Sequence, residues 1–253
     1  MRRNFELMEQ AGRLQQVLEL PVDTPAPQTK PAEDETTSTP AVEVAAAVRE
    51  EIAKLVLNLF LLPGTGSPRQ VVLAGTEEGT GCSWVIARMG EVLASQIKGS
   101  VCVVDCNLRA PSMHQQFAID NHFGLSDALL QTNPIHEYVR QSTRKNLSLL
   151  SCGSTLENWQ EKVTSEGLKD RLTELRRQFD YVLIDAAPIN TSKDSIVLGK
   201  LSDGVVLVLK ANSSNRKAAR QAVQELQDAR VMVLGAVLNQ RTFPIPDSIY
   251  RRL

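Results

Sequence analysis

The stretch Val71-Val72-Leu73-Ala74-Gly75-Thr76-Glu77-Glu78-Gly79-Thr80-Gly81-Cys82-Ser83-Trp84 decides how the rest of the chain is read. An apolar run of strand length enters a loop with three glycines and leaves through a serine into an amphipathic stretch. Strand, glycine-rich loop, helix is the layout of a phosphate cradle. The glycines let backbone N–H groups converge on one point, and the helix N-terminus adds partial positive charge there.

Outward from this unit the same alternation recurs. Runs at Val101–Asp105, Leu147–Leu150, Tyr181–Asp185, Val205–Leu209 and Val231–Leu238 are dominated by apolar residues on both faces, with Ser148 a polar exception inside them, as expected of parallel strands covered on both sides. Helical periodicity falls between them, over Ser83–Gln96, Ser165–Phe179 and Asn215–Ala229. Alternating strands and helices predict an α/β fold, a three-layer sandwich around a mostly parallel sheet. In such folds ligands sit at the carboxyl ends of strands. Two of these ends carry an acid: Asp105, followed by Cys106-Asn107-Leu108-Arg109, and Asp185, followed by Ala186-Ala187-Pro188.

The N-terminal part reads differently. Residues 4–20 carry Phe5, Met8, Leu14, Val17 and Leu18 near helical spacing and predict a short helix. Residues 21–47 open with Pro, Thr, Ala, Glu and Asp and few large apolar residues, which predicts a disordered linker. Ile52, Leu55, Val56 and Leu59 then share one face of a further helix, ended by Pro63-Gly64.

The composition excludes several classes. A net charge of −1 and 4% aromatic residues argue against a nucleic-acid surface. No apolar run reaches the ~18 residues of a membrane helix. Four cysteines without CxxC spacing, and no signal-like N-terminal run, predict a reducing cytoplasm.

Read together, these segments resemble the bacterial tyrosine kinase (BY-kinase) family, the capsular and exopolysaccharide autokinases related to MinD/ParA-type P-loop ATPases. The family loop, like PGEGKST, is matched by Glu78-Gly79-Thr80-Gly81-Cys82-Ser83-Trp84. Its LLIDADLRRPSLH segment is matched by Val103-Val104-Asp105-Cys106-Asn107-Leu108-Arg109-Ala110-Pro111-Ser112-Met113-His114. Its GLSD stands as Gly124-Leu125-Ser126-Asp127, and its YDYVIIDTPP as Phe179 to Pro188. The resemblance covers roughly residues 48–240, with 241–253 left as a tail. It implies a P-loop NTPase-like sandwich, ATP or ADP with Mg²⁺ as ligand, and a membrane-bound polysaccharide co-polymerase or export protein as partner. Such a partner would recruit the chain to the inner face of the membrane.

By that resemblance Gly79, Thr80, Gly81, Cys82, Ser83, Arg109 and Asn239 would contact nucleotide. Ser83, Asp105 and Asp185 would hold Mg²⁺, and the two aspartates would be catalytic in an active enzyme. The departures are as informative. Cys82 stands where the P-loop lysine belongs, Thr76 replaces the first glycine, and Glu77 takes the place of the signature lysine. Asn107 replaces a second acid, Ala53 and Val56 replace the arginines of the ring-forming helix, and Tyr250 is the only tyrosine near the C-terminus.

Three readings follow. The first is a degenerate nucleotide-binding regulator or scaffold of exopolysaccharide or capsule biosynthesis. The second is an active tyrosine autokinase that borrows a cation, from Arg109 or from a partner. The third is an interaction module without nucleotide. Bland roles stand beside the sharp ones: Ser83 as a helix N-cap, Cys82 as packing, Arg109 as a loop residue capped by carbonyls, Asn239 as strand-end turn chemistry. Cys82, Cys106 and Cys152 all follow strands, which would allow three thiols to crowd one sheet edge.

Overall fold

A computed structural model describes residues 17–21, 40–62, 66–154 and 166–241. Eight strands are described: β1 (Val17–Pro21), β2 (Gln70–Gly75), β3 (Val101–Asp105), β4 (Arg140–Gln141), β5 (Leu147–Leu150), β6 (Tyr181–Ala186), β7 (Gly204–Lys210) and β8 (Val233–Arg241). They form one sheet in the order β1-β8-β7-β2-β6-β3-β5-β4. Every pairing is parallel except β4 with β5.

Helices α1 (Pro40–Val56) and α2 (Cys82–Gln96) lie on one face. The other face carries α5 (Glu166–Gln178), α6 (Asp194–Lys200) and α7 (Arg216–Asp228). The short helices α3 (Met113–Gln116) and α4 (Leu125–Leu130) follow β3 and precede β4.

Alternation along β2 shows how two layers arise from one apolar run. Val71 and Leu73 pack with α1 and α2, while Val72 and Ala74 face the opposite core. A helix must approach closely to seal such a face. At Gly90 of α2 an added Cβ would stand 2.8 Å from Val103 Cγ2, so only glycine permits this contact.

The three-layer sandwich expected from the sequence is present, and each anticipated strand from Val71 onward forms. Two expectations about the N-terminal part need correction. Val17–Pro21 is an edge strand parallel to β8, where the last turn of the helix over 4–20 was expected. Val17-Leu18-Glu19-Leu20 has strand-length alternation as well as helical spacing, and pairing with β8 decides between them. Helix α1 begins at Pro40, inside the stretch 21–47 expected to be linker. Proline is favourable in a first helical turn, and Ala41-Val42-Glu43-Val44-Ala45-Ala46-Ala47 contains no helix breaker. Residues 1–16 and 22–39, the Pro63-Gly64 stop and the tail with Tyr250 lie outside the described residues.

A π-turn at Leu57–Leu61 ends α1 and buries Phe60, whose ring meets Tyr181 edge-on at 5.4 Å between centroids. Leu62 is extended, the conformation that a following proline imposes.

Candidate functional site

The carboxyl ends of β2, β3 and β6 are neighbours in the sheet, which brings the loop, Asp105 and Asp185 together. The loop is built from backbone. Gly79 and Gly81 have φ of +75° and +76°, so both occupy the left-handed region that other residues reach only with strain. Gly81 is the N-cap of α2. Ser83 therefore lies inside the helix, which removes its N-cap reading. Its hydroxyl instead donates to Asp185 Oδ2 at 2.6 Å.

Residues the sequence placed elsewhere hold the loop. Asn239 is buried and donates its Nδ2 to the Thr80 carbonyl at 2.9 Å. An added Cβ on Gly81 would sit 2.4 Å from that same Nδ2. Asn239 thus braces the loop from β8, an arrangement that neither the nucleotide-contact reading nor the turn reading anticipated. On the other side, Ile189 N donates to Gly75 O at 2.9 Å, tying the loop to the segment after β6.

The acids differ in what they do. Asp105 accepts three backbone N–H bonds, from Asn107 to Oδ1 at 3.1 Å and from Ser112 and Met113 to Oδ2 at 3.0 Å each. It therefore organises the 106–113 loop. Spacing hinted at this role, because a strand-end acid followed by a polar loop can accept from the returning backbone. Asp185 is wholly buried and its Oδ1 has no hydrogen-bond partner among the described residues.

Burial raises both carboxyls against three backbone donors at Asp105 and the Ser83 bond at Asp185. Asp105 reaches about 6; Asp185, with the Asp105 charge beside it, reaches about 8. An orphaned carboxylate oxygen beside a serine hydroxyl and a second acid is a donor set suited to Mg²⁺.

The loop side chains do not suit a phosphate in the same way. Cys82 lies against Asp185, and burial together with that carboxylate pushes its thiol well up. It is a neutral thiol and not a nucleophilic thiolate. Glu77 is half-buried with Oε1 lacking a hydrogen-bond partner among the described residues, and Glu78 is exposed. Thr76, in place of the first glycine, buries an unpartnered hydroxyl. Arg109 is exposed, and its charge acts on Asp194, a buried acid that also accepts from Ser192.

The three thiols do not meet. Cys82 packs with the α1–α2 layer, whereas Cys106 and Cys152 belong to the opposite core together with Cys102. Burial pushes Cys102 and Cys152 up to about 12, so they behave as small apolar side chains. The GLSD segment is also structural. Asp127 accepts from Gly124 N at 2.9 Å and from Ser154 Oγ at 3.0 Å, capping α4.

Known proteins are similar to this chain in sequence and fold. The family model described as cellulose biosynthesis protein BcsQ matches residues 69–235. The tyrosine-protein kinase YwqD of Bacillus subtilis is 30% identical over 171 residues, covering 68% of this chain and 72% of that protein. The putative tyrosine-protein kinase CapB of Staphylococcus aureus is 26% identical over 203 residues, covering 80% of this chain and 89% of that protein. Among solved structures, the chimerical protein CapA2B2 superposes with a TM-score of 0.76 at 21% identity, covering 94% of this chain and 99% of that one.

Proposed function

We propose, on the premise that the chain belongs to the family of BcsQ and the bacterial tyrosine-protein kinases, that it is a degenerate nucleotide-binding member acting as a regulator or scaffold. The pathway inferred from its relatives is exopolysaccharide or capsule biosynthesis. One observation carries the reading. The backbone cradle and the Ser83–Asp185 pair are retained, while the position that should neutralise phosphate holds a neutral thiol turned toward a carboxylate.

Mg²⁺ fits between Ser83, Asp185 and Asp105, where the orphaned Oδ1 of Asp185 would gain a partner. When bound, the ion would supply positive charge to neutralise phosphate. The protein's own share is positional. Gly79 and Gly81 open the backbone N–H groups, Asn239 holds the loop through Thr80, and Asp105 orders the neighbouring segment. The charge of Arg109 acts on Asp194, which weakens the alternative of a working autokinase that borrows its cation from Arg109. The nucleotide-free alternative draws on the Ser83–Asp185 bond, which satisfies the serine hydroxyl and Asp185 Oδ2 without ligand.

Among the described residues no helix is long and apolar enough to cross a membrane. Attachment to the inner face through a co-polymerase or export partner therefore belongs to this proposal, as does assembly with further copies.

Calorimetric titration with Mg-ATP and Mg-ADP tests the reading. Restoring a lysine restores charge-assisted bonds worth ~1.5–3 kcal/mol each. Cys82→Lys should therefore bind at least ~10-fold tighter than the native chain. A folded Cys82→Lys that binds nothing would transfer the function to the interaction-module reading. Native binding as tight as that of Cys82→Lys would overturn the degenerate reading. So would stoichiometric phosphotyrosine on Tyr250 that is lost in Asp185→Asn.

A further inference from the structure

Helices α1 and α2 pack side by side without closing completely, and a cleft of about 210 Å³ remains between them. Its floor is apolar: Val48 and Ile52 from α1, Val92 from α2, all buried. Trp84 forms one wall. Three guanidiniums line the rest, Arg49 of α1, Arg88 of α2 and Arg144 of the β4–β5 turn.

These cations are poorly compensated. Glu91 is the one acid lining the cleft, and it binds Arg88 Nη1 at 3.0 Å. Arg88 Nε is buried without an acceptor among the described residues. Arg49 and Arg144 are exposed and take part in none of the ion pairs among the described residues. Three like charges around one cleft repel one another, and the Arg88–Glu91 pair offsets only one of them. The arrangement suits an anion brought by a ligand.

The chemistry of the lining narrows that ligand. Guanidinium forks match phosphoryl oxygens better than point charges do. An apolar floor with an indole wall accepts a flat ring. The cleft carries a formal charge of about +2, and an aryl phosphate monoester carries about −1.5 to −2 at pH 7. Its volume lies below the ~300–1,000 Å³ of sites that enclose a drug-sized molecule. It therefore suits one side chain and not a whole nucleotide.

We propose that this cleft binds a phosphotyrosine side chain presented by a partner protein. A phosphoserine would reach the arginines but leave the floor uncovered. The regulator reading above enters only as the source of such a side chain, because relatives of this chain are named tyrosine-protein kinases. Recognition at the cleft requires no nucleotide at the loop.

Fluorescence anisotropy on the full chain tests this, using a short labelled peptide with one phosphotyrosine, its unphosphorylated twin and its phosphoserine twin. The phosphotyrosine peptide should bind at least ~30-fold tighter than the unphosphorylated one and ~5-fold tighter than the phosphoserine one. Arg49→Ala and Arg144→Ala alter exposed side chains and should fold normally, each weakening binding ~5- to 10-fold. Arg88→Lys keeps the charge, loses the fork, and should also weaken it. Phenyl phosphate should displace the peptide, and AMP should not.

Equal binding of the phosphorylated and unphosphorylated peptides would overturn the proposal. So would native affinity in the Arg49→Ala/Arg144→Ala double variant. Displacement by AMP as effective as by phenyl phosphate would assign the cleft to nucleotides instead. Titration of the native chain with Mg-ATP reads the loop and peptide anisotropy reads the cleft, so failure of either reading can be told from failure of the other.

Discussion

The loop at Gly75–Ser83 and the cleft between α1 and α2 meet in the first turns of one helix, yet positive charge is distributed oppositely between them. The loop holds Glu77, Glu78 and Cys82 and has no lysine or arginine. The cleft holds three arginines. A backbone cradle survives loss of its cation because glycine conformations and a helix N-terminus persist whatever the side chains are. A side-chain site has no such reserve. The two regions therefore respond to different substitutions, and the measurements below separate them.

Ile52→Ala should have the largest effect. Ile52 is wholly buried and forms part of the cleft floor. Its truncation should cost ~2–5 kcal/mol in urea unfolding. Phosphotyrosine-peptide affinity should fall while the loop keeps its response to Cys82→Lys. A loss below ~1 kcal/mol would show that α1 is not packed as described.

Asp185→Asn sharpens the comparison from the loop side. Folding raises the Asp185 pKa to about 8 from an ordinary value near 3.8. Between those values the native state binds more protons than the unfolded state, so stability falls as pH rises. The slope is at most ~1.4 kcal/mol per pH unit, and the cost is absent below about pH 4. Asp185→Asn should flatten this dependence between pH 5 and 8 in thermal melts, and Mg²⁺ should do so only in the native protein. Identical pH slopes for the variant and the native chain would refute the shift.

Asn239→Ala should remove the brace on Thr80 and leave that buried carbonyl without its donor, at ~1–3 kcal/mol. Peptide binding at the cleft should not change. The smallest effect belongs to Lys54→Ala. Lys54 pairs with Glu50 and Glu51 on the exposed side of α1, where solvent screens the pairs, so its loss should leave the unfolding midpoint almost unchanged. A larger shift would mean that the surface of α1 contributes more than its burial suggests.

The chain order alone carried a good deal. Apolar runs ending in Asp105 and Asp185, together with three glycines before a serine, were enough to place a parallel sheet and the strand ends that meet at its candidate site. Strand periodicity and glycine torsion are local constraints, and local constraints are visible in a linear text. The absence of lysine at position 82 was legible for the same reason.

Other features needed the folded chain. Asn239 lies 159 positions from Thr80, and its role depends on β8 coming to rest near the loop. The strand at Val17–Pro21 exists through pairing with β8, since its spacing also fits a helix. Cys82, Cys106 and Cys152 all follow strands, but the sheet separates them because α2 leaves on one face and the other two loops turn toward the opposite core. Arg49, Arg88 and Arg144 are spread over three elements and carry no shared motif. Only the packing of α1 against α2 gathers their charges, because Coulomb energy and burial depend on distance in space and not on separation along the chain.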